Sequence, residues 1–427
     1  MSALAAAIEE ACGAGSVTAA SLSLRGIGRD DLDVAYGLAD PLHGTPATPD
    51  TLFHIGSVTK ALTAELIHDQ IADNRFTLDT PITEAAPELR RIGGLAGRTV
   101  TIGHLLSHTS GIDGDILFDA GEGDDVLRRF ISRIDTFDFL FEPDTGFSYA
   151  NIGYGLLGRI AESAAGVPYR RMLNTSLRER HGIRNFAVTA EERAAAPLAQ
   201  AYDGDQPELL GPYSNVASGT ILVMTMGDLA HWGLRQRSDR IMHQMAVQTP
   251  FALRYRGWGH GFMIFAGEDE APVFGHDGGT AGTSTFLRIL PEASASWAFA
   301  ATGPGALSLY RKIEPALFDL VGQRAPRHPQ PGGGPPPASL ERYAGHYARH
   351  KMTFDLSCSR EALLLKVGGD YASDVLDGAV LVPLTDRVFE ARLPKAGNAA
   401  IWAAFDDFSD NGAPRLFFVT ERMAARQ

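Results

Sequence analysis

Two cysteines in 427 residues, Cys12 and Cys358, exclude a disulfide framework and a thiolate metal cluster, because neither their number nor their spacing matches one. They read as two unpaired thiols. Lysine is nearly as scarce: Lys60, Lys312, Lys351, Lys366 and Lys395 are the only ones, so before residue 312 Lys60 stands alone among arginines. Basic residues number 38 against 51 acidic ones, a net charge of −13 that offers no cationic stripe to nucleic acid or an anionic membrane. No apolar run reaches the ~20 residues of a membrane span. The amino terminus, MSALAAAIEEACGAGS, contains Glu9 and Glu10 and no basic residue before Arg25, which is unlike an export signal. A cytoplasmic protein is expected, with neither nucleic acid nor membrane as partner.

What is present is ordinary globular composition, 44% hydrophobic and 21% charged, over a length that calls for two or three domains. The clearest seam is RAPRHPQPGGGPPPASL, where proline and glycine displace any apolar period. Domains over 1–323 and 340–427, joined by a linker at 324–339, follow from it. Upstream, SVTAASLSLRG and LDVAYGLAD read as paired strands, and residues 58–72, 153–165 and 226–235 as helices, an α+β pattern. Downstream, MTFDLSC, ALLLKVG, AVLVPL, RVFEARL, AIWAAF and RLFFVT are short strands between turns, the rhythm of a small antiparallel barrel or sandwich.

Lys60 follows Ser57 by one helical turn in HIGSVTKALTAELI. Positions i and i+3 share a helix face, so hydroxyl and amine come within hydrogen-bonding reach. The small and apolar residues that follow imply a buried helix. Burial and the positive end of the helix dipole both disfavour an ammonium there. A neutral amine beside a hydroxyl is a general base beside a nucleophile, a role closed to arginine, which keeps its proton in proteins. The plainer alternative is that Ser57 caps the helix while Lys60 extends its stem to solvent.

Two further stretches bear on that choice. FEPDTGFSYANIGYGLLGRIAE places Tyr149 and Asn151 in a turn entering a helix, and VFGHDGGTAGTSTFLRILP places His276, Gly278 and Gly279 on a strand. Ser57-Val-Thr-Lys60, Tyr149-Ala-Asn151 and His276-Asp-Gly278, in that order, resemble the three motifs of the serine β-lactamase and penicillin-binding protein superfamily. The resemblance is to its class C-like branch, which includes DD-peptidases, D-aminopeptidases, family VIII esterases and penicillin-binding-protein-type peptide cyclases. It covers roughly residues 15–320. It implies an antiparallel sheet flanked by helices, with a helical subdomain; the later strands, opened by Tyr343-Ala-Gly345-His-Tyr347, resemble the lipocalin-like barrel appended to several relatives. It also implies that Ser57 is acylated, Lys60 assists its deprotonation, and Tyr149 exchanges protons with leaving group and acceptor. Asn151 would orient Lys60 and bond a substrate amide, with the backbone N–H groups of Ser57 and Gly279 as oxyanion hole. No metal or other cofactor enters this chemistry.

His276 stands where most β-lactamases of the superfamily have lysine. Histidine titrates near pH 6.5, so it is expected to act as a neutral or switchable donor rather than a fixed anchor for a substrate carboxylate. That disfavours β-lactams and favours esters, amides or peptides, as in relatives that also carry histidine here. The leading expectation is a serine hydrolase for an ester or small peptide amide with D specificity. The alternative is an acyltransferase or peptide macrocyclase that takes its peptide from a carrier protein. A covalent sensor that never turns over is a third reading. His104 and His108, spaced as zinc ligands can be, lack HExxH or cysteine company and are read as structural. Tyr154, Tyr255 and Trp258 are candidates for either the cleft or the core.

Overall fold

The computed structural model describes the chain except residues 1, 27–30, 115, 117, 204–205, 208–214, 237–240, 250–254, 267–269, 281, 328–332, 371–374, 395–398 and 411. The long sheet of the first domain has nine strands in the order Thr45–Pro46, Leu32–Asp40, Ala19–Arg25, Ala295–Thr302, Thr283–Leu290, Phe274–Thr280, Met263–Ile264, Gly257–Trp258 and Val247–Gln248, all antiparallel. Its centre is buried on both faces, which explains the near-continuous apolar text of ASWAFAAT. Along that strand Ala298 and Ala300 face a core shared with the helical lobe, while Trp297, Phe299 and Ala301 face a second core. Leu4 and Ile8 of the Ser2–Gly13 helix and Leu309, Ile313 and Leu317 of the Ala306–Leu320 helix fill that second core. The small residues on one side admit a helix closely; the large ones on the other fill the wider gap.

The expected strand pair is formed by Ala19–Arg25 and Leu32–Asp40, and the expected helices are Thr59–Ala72, Asn151–Ala165 and Met226–Leu234. The Thr59–Ala72 helix is buried nearly all round and packs against Asn151–Ala165; Gly158 of the latter lets the segment at Ala217 approach, since a Cβ there would lie 2.6 Å from that of Ala217. No described helix is long and apolar enough to cross a membrane.

The second domain is a closed antiparallel barrel of eight strands, from Gly345–Arg349 to Arg422–Arg426, with the last paired to the first through Tyr347↔Arg426 and Ala348↔Ala425. Strand Leu363–Gly368 alternates buried and exposed residues, and Tyr347, Phe354, Phe389, Phe405 and Phe417 fill the barrel's interior with side chains. Of the expected linker, residues 328–332 lie outside the described residues. The barrel is not a loose appendage. Val388, Ala404, Phe418 and Met423 on its outside join the second core of the first domain, against Phe147, Tyr149 and Trp258. His350 N–H also donates to Asp113 Oδ2 at 2.7 Å.

Candidate active site

Ser57 lies in a 3₁₀ turn, Gly56–Val58, that runs straight into the Thr59–Ala72 helix. Three glycines make room for it. A Cβ at Gly278 would stand 2.1 Å from Ile55 O, one at Gly219 would stand 2.3 Å from Gly56 O, and Gly56 itself has φ +52 with Gly279 N against its Cβ position at 2.8 Å. The strand carrying the third motif therefore touches the nucleophile's turn backbone to backbone, which places the amides of residues 57 and 279 on adjoining surfaces. Gly279 has open space where a side chain would be.

Lys60 is wholly buried, so the reading in which it reaches solvent fails. Its Nζ donates to Ser57 Oγ at 3.1 Å and to Ser218 O at 2.5 Å, and it lies 4.8 Å from the Tyr149 ring centroid. Ser57 makes no capping bond to the helix. The serine hydroxyl is instead tied to the amine.

The turn that presents Tyr149 has three consecutive backbone N–H groups, and each has a partner. Ser148 N–H donates to His108 O at 3.0 Å, Tyr149 N–H to Glu421 O at 2.9 Å, and Ala150 N–H to His108 Nδ1 at 3.1 Å. His108 adopts φ +60 and stacks on Tyr149 with ring centroids 4.3 Å apart. Burial first, then the charges of Lys60, His276 and Arg422, hold it well below the usual histidine range, so it is a neutral acceptor at Nδ1. Its structural role is thus to fix the tyrosine. His104 forms a reciprocal cap with Thr101 at the helix Ile102–Leu106, and no group of three metal-ligating residues exists among the described residues.

Glu421 belongs to the barrel. The turn Thr420–Glu421, with φ +51 and +66, joins strands Pro414–Val419 and Arg422–Arg426 and reaches over the first domain's cleft. Met423 N–H donates to Ser148 Oγ at 3.1 Å, and the Arg422 guanidinium carbon lies 4.8 Å from the Tyr149 centroid. The result is a cavity of about 870 Å³ whose lining includes Ser57, Tyr149, Gly278 and Gly279 from the first domain and Trp402, Glu421 and Arg422 from the barrel. Met263, Phe286, Leu307 and Ile401 give it apolar walls.

His276, Lys60 and Asn151 do not line this cavity. Asn151 opens the helix Asn151–Ala165 two residues beyond Tyr149 and is partly exposed. His276 is fully buried, and its Nδ1–H donates to Asp277 O at 2.7 Å, which leaves Nε2 as an acceptor. Burial and then Lys60 pull its pKa down to about 3. The expectation of a switchable donor to substrate is therefore corrected: the ring is neutral throughout the physiological range and lies behind the wall. Tyr154, Tyr255 and Trp258 are core, buried in a cage around His108 and Tyr149.

Sequence reading missed Ser218, whose carbonyl holds Lys60, and the hairpin at 420–422. Neither carries a local signal: one acts through its backbone, and the other is distant in the chain.

A serine hydroxyl bonded to a buried lysine amine, with a clamped tyrosine and a glycine strand against the serine's turn, is the arrangement of a serine hydrolase-type site. The Beta-lactamase family pattern matches residues 4–321, and the chain belongs to that family. It is 30% identical over 348 residues to penicillin-binding protein 4 of Amycolatopsis lactamdurans, covering 74% of this chain and 90% of that one. It is 34% identical over 190 residues to esterase EstB of Burkholderia gladioli, covering 41% and 47% of the two chains. Among solved structures, SurE with D-Leu superposes on the whole chain with a TM-score of 0.77, at 28% identity and 99% coverage of that chain, so both domains match.

Proposed function

We propose that the protein forms an acyl-enzyme on Ser57 from an ester or small peptide amide with a D-configured residue on the acyl side, and that water releases the product. One observation carries the reading: a wholly buried Lys60 amine is 3.1 Å from the Ser57 hydroxyl at the edge of a cavity. Ser57 Oγ attacks the carbonyl carbon as its proton moves to Lys60. The oxyanion that forms meets the N–H groups of Ser57 and Gly279, an arrangement worth about 10²–10³ in rate per donor. Tyr149 delivers a proton to the leaving group and takes one from the incoming acceptor. The D configuration is supported by D-Leu bound in SurE, a protein alike over both domains.

A second reading shares the same acyl-enzyme but resolves it with an amine, as an acyltransferase or macrocyclase fed with a peptidyl thioester by a carrier protein. The cavity favours it, because about 870 Å³ exceeds what a single amino-acid amide needs and its apolar walls extend under the barrel. The test is intact-mass analysis after incubation with D- and L-aminoacyl esters, amides, thioesters and β-lactams, with and without an added amine. Adducts on the wild type that are absent from Ser57→Ala, formed faster from D than from L donors, support the reading. Adducts that persist in Ser57→Ala refute it.

A further inference from the structure

We propose that Arg422, from the last hairpin of the barrel, is the permanent cation that stabilises Tyr149 in its proton-exchanging role, so that the second domain completes the catalytic machinery of the first. This rests on the reading of Tyr149 as the group that takes and returns protons.

Two basic side chains approach the tyrosine ring. Lys60 Nζ stands 4.8 Å from its centroid and the Arg422 guanidinium carbon also stands 4.8 Å from it. The other groups around the ring are held neutral. His108 is kept uncharged by burial, His276 sits at about 3, and burial raises Tyr154 and Tyr255 so that both stay protonated. The carboxylate of Glu421 lies on the same hairpin and acts on Tyr255. Asp277, next to His276, is paired with the buried Arg288 at 2.7 Å. Among these described neighbours of the ring, Lys60 and Arg422 are the cations.

Their roles differ for the reason that isolated Lys60 among arginines. Lys60 must start neutral to take the Ser57 proton, so its charge comes and goes within the cycle. Arginine does not deprotonate, so its charge is present in every state of the cycle. In deacylation the Tyr149 phenolate takes a proton from water while the water oxygen bonds to the acyl carbon. Lys60 then returns the proton it took in acylation to Ser57 Oγ as the ester bond breaks, which restores both groups to their starting states. A cation beside the phenolate favours its formation before the first step and costs nothing once the proton returns. The hairpin is built to hold that cation still: Arg422 Nη1 donates to Thr420 O at 3.0 Å, Glu421 O binds Tyr149 N–H at 2.9 Å, and Met423 N–H binds Ser148 Oγ at 3.1 Å. Charge and tyrosine are therefore positioned by one element.

The experiment uses the full chain with Arg422→Met, which keeps length and loses charge, and Arg422→Lys, which keeps charge. Arg422→Gln replaces the first if it does not fold. The pH dependence of turnover is measured with a neutral p-nitrophenyl ester, and Ser57 is labelled with a phosphonofluoridate and read by intact mass. The neutral variant should move the rising limb of the profile to higher pH by about one unit, with about tenfold slower turnover below the limb. The lysine variant should restore most of that shift. An unmoved limb in the neutral variant, or a lysine variant as shifted as the methionine one, overturns the proposal. A higher KM with kcat and limb unchanged also overturns it, since Arg422 would then bind substrate only. Absence of both label and turnover in the wild type would refute the acyl-enzyme reading itself, and this inference with it.

Discussion

Adjacent glycines with opposite surroundings give a direct test of how the nucleophile is positioned. At Gly278 a Cβ would lie 2.1 Å from Ile55 O, 3.0 Å from Ile55 C and 3.3 Å from Ser57 N, all backbone atoms that have no rotamer to escape into. Restoring ordinary contact requires the strand Phe274–Thr280 or the turn Gly56–Val58 to move by about 1 Å, and displacement on that scale costs about 10²-fold in a reaction that depends on near-attack geometry. Overpacking of a close-packed interior adds a stability loss of about 1–3 kcal/mol. At Gly279 a Cβ meets nothing within 4 Å. Gly279→Ala should therefore unfold within ~0.5 kcal/mol of wild type and acylate at a comparable rate. Single-turnover acylation by a chromogenic ester, with thermal unfolding of the same samples, separates the two. Gly278→Ala acylating at close to the wild-type rate would refute the claim that strand contact sets the serine, and equal damage from both would assign the effect to the oxyanion donor instead.

Lys60→Arg should lower turnover by about 10²-fold or more despite keeping the charge, because the base must lose a proton; near-normal kcat in that variant would remove Lys60 from the chemistry. Acid should destabilise the fold before most carboxylates titrate. Burial, then Arg193, lowers His54 to about 4, while burial, then Lys60, lowers His276 to about 3. Both native pKa values are below the unfolded 6.5, so the unfolded chain binds the extra protons as pH falls. Stability is full above pH 6.5 and drops by up to about 1.4 kcal/mol per pH unit per histidine below it. Burial would raise Glu65, yet its bonds to His181 and Trp232 prevail and hold it at about 2, so its contribution is present above about pH 4.5 and is lost below that value. Urea midpoints measured from pH 8 to pH 4 check this, and a flat series contradicts it.

Much of the fold is legible because its signals are local. The strand pair Ala19–Arg25 with Leu32–Asp40 and the helix Asn151–Ala165 lie where the text puts them, because the apolar residues that each buries are contained in its own short segment. Six of the eight barrel strands read as short apolar stretches set off by turn residues, since each supplies side chains to the interior. The strand Arg422–Arg426 does not read. RMAAR contains two arginines and two alanines, and only Met423 and Ala424 are fully buried, so its identity as the strand that closes the barrel depends on pairing with Gly345–Arg349 nearly eighty residues away.

The active site divides along the same line. Ser57 and Lys60 announce themselves because helix periodicity brings them together at short range. The residues that decide how Tyr149 works do not. Glu421 and Ser218 act through carbonyl oxygens that every residue carries, so chemistry leaves no mark on their identity; His108 needs its ring nitrogen, but nothing local says which backbone amide it will receive. His276 misleads for a related reason: its side-chain type suggests a titrating donor, whereas total burial and the bond to Asp277 O fix both its charge and its tautomer. The third motif reads as lacking the fixed cation that lysine supplies in most β-lactamases, and the buried, neutral His276 supplies none. A permanent charge does stand by Tyr149, that of Arg422, and it comes from a barrel strand whose sequence gives no sign of it.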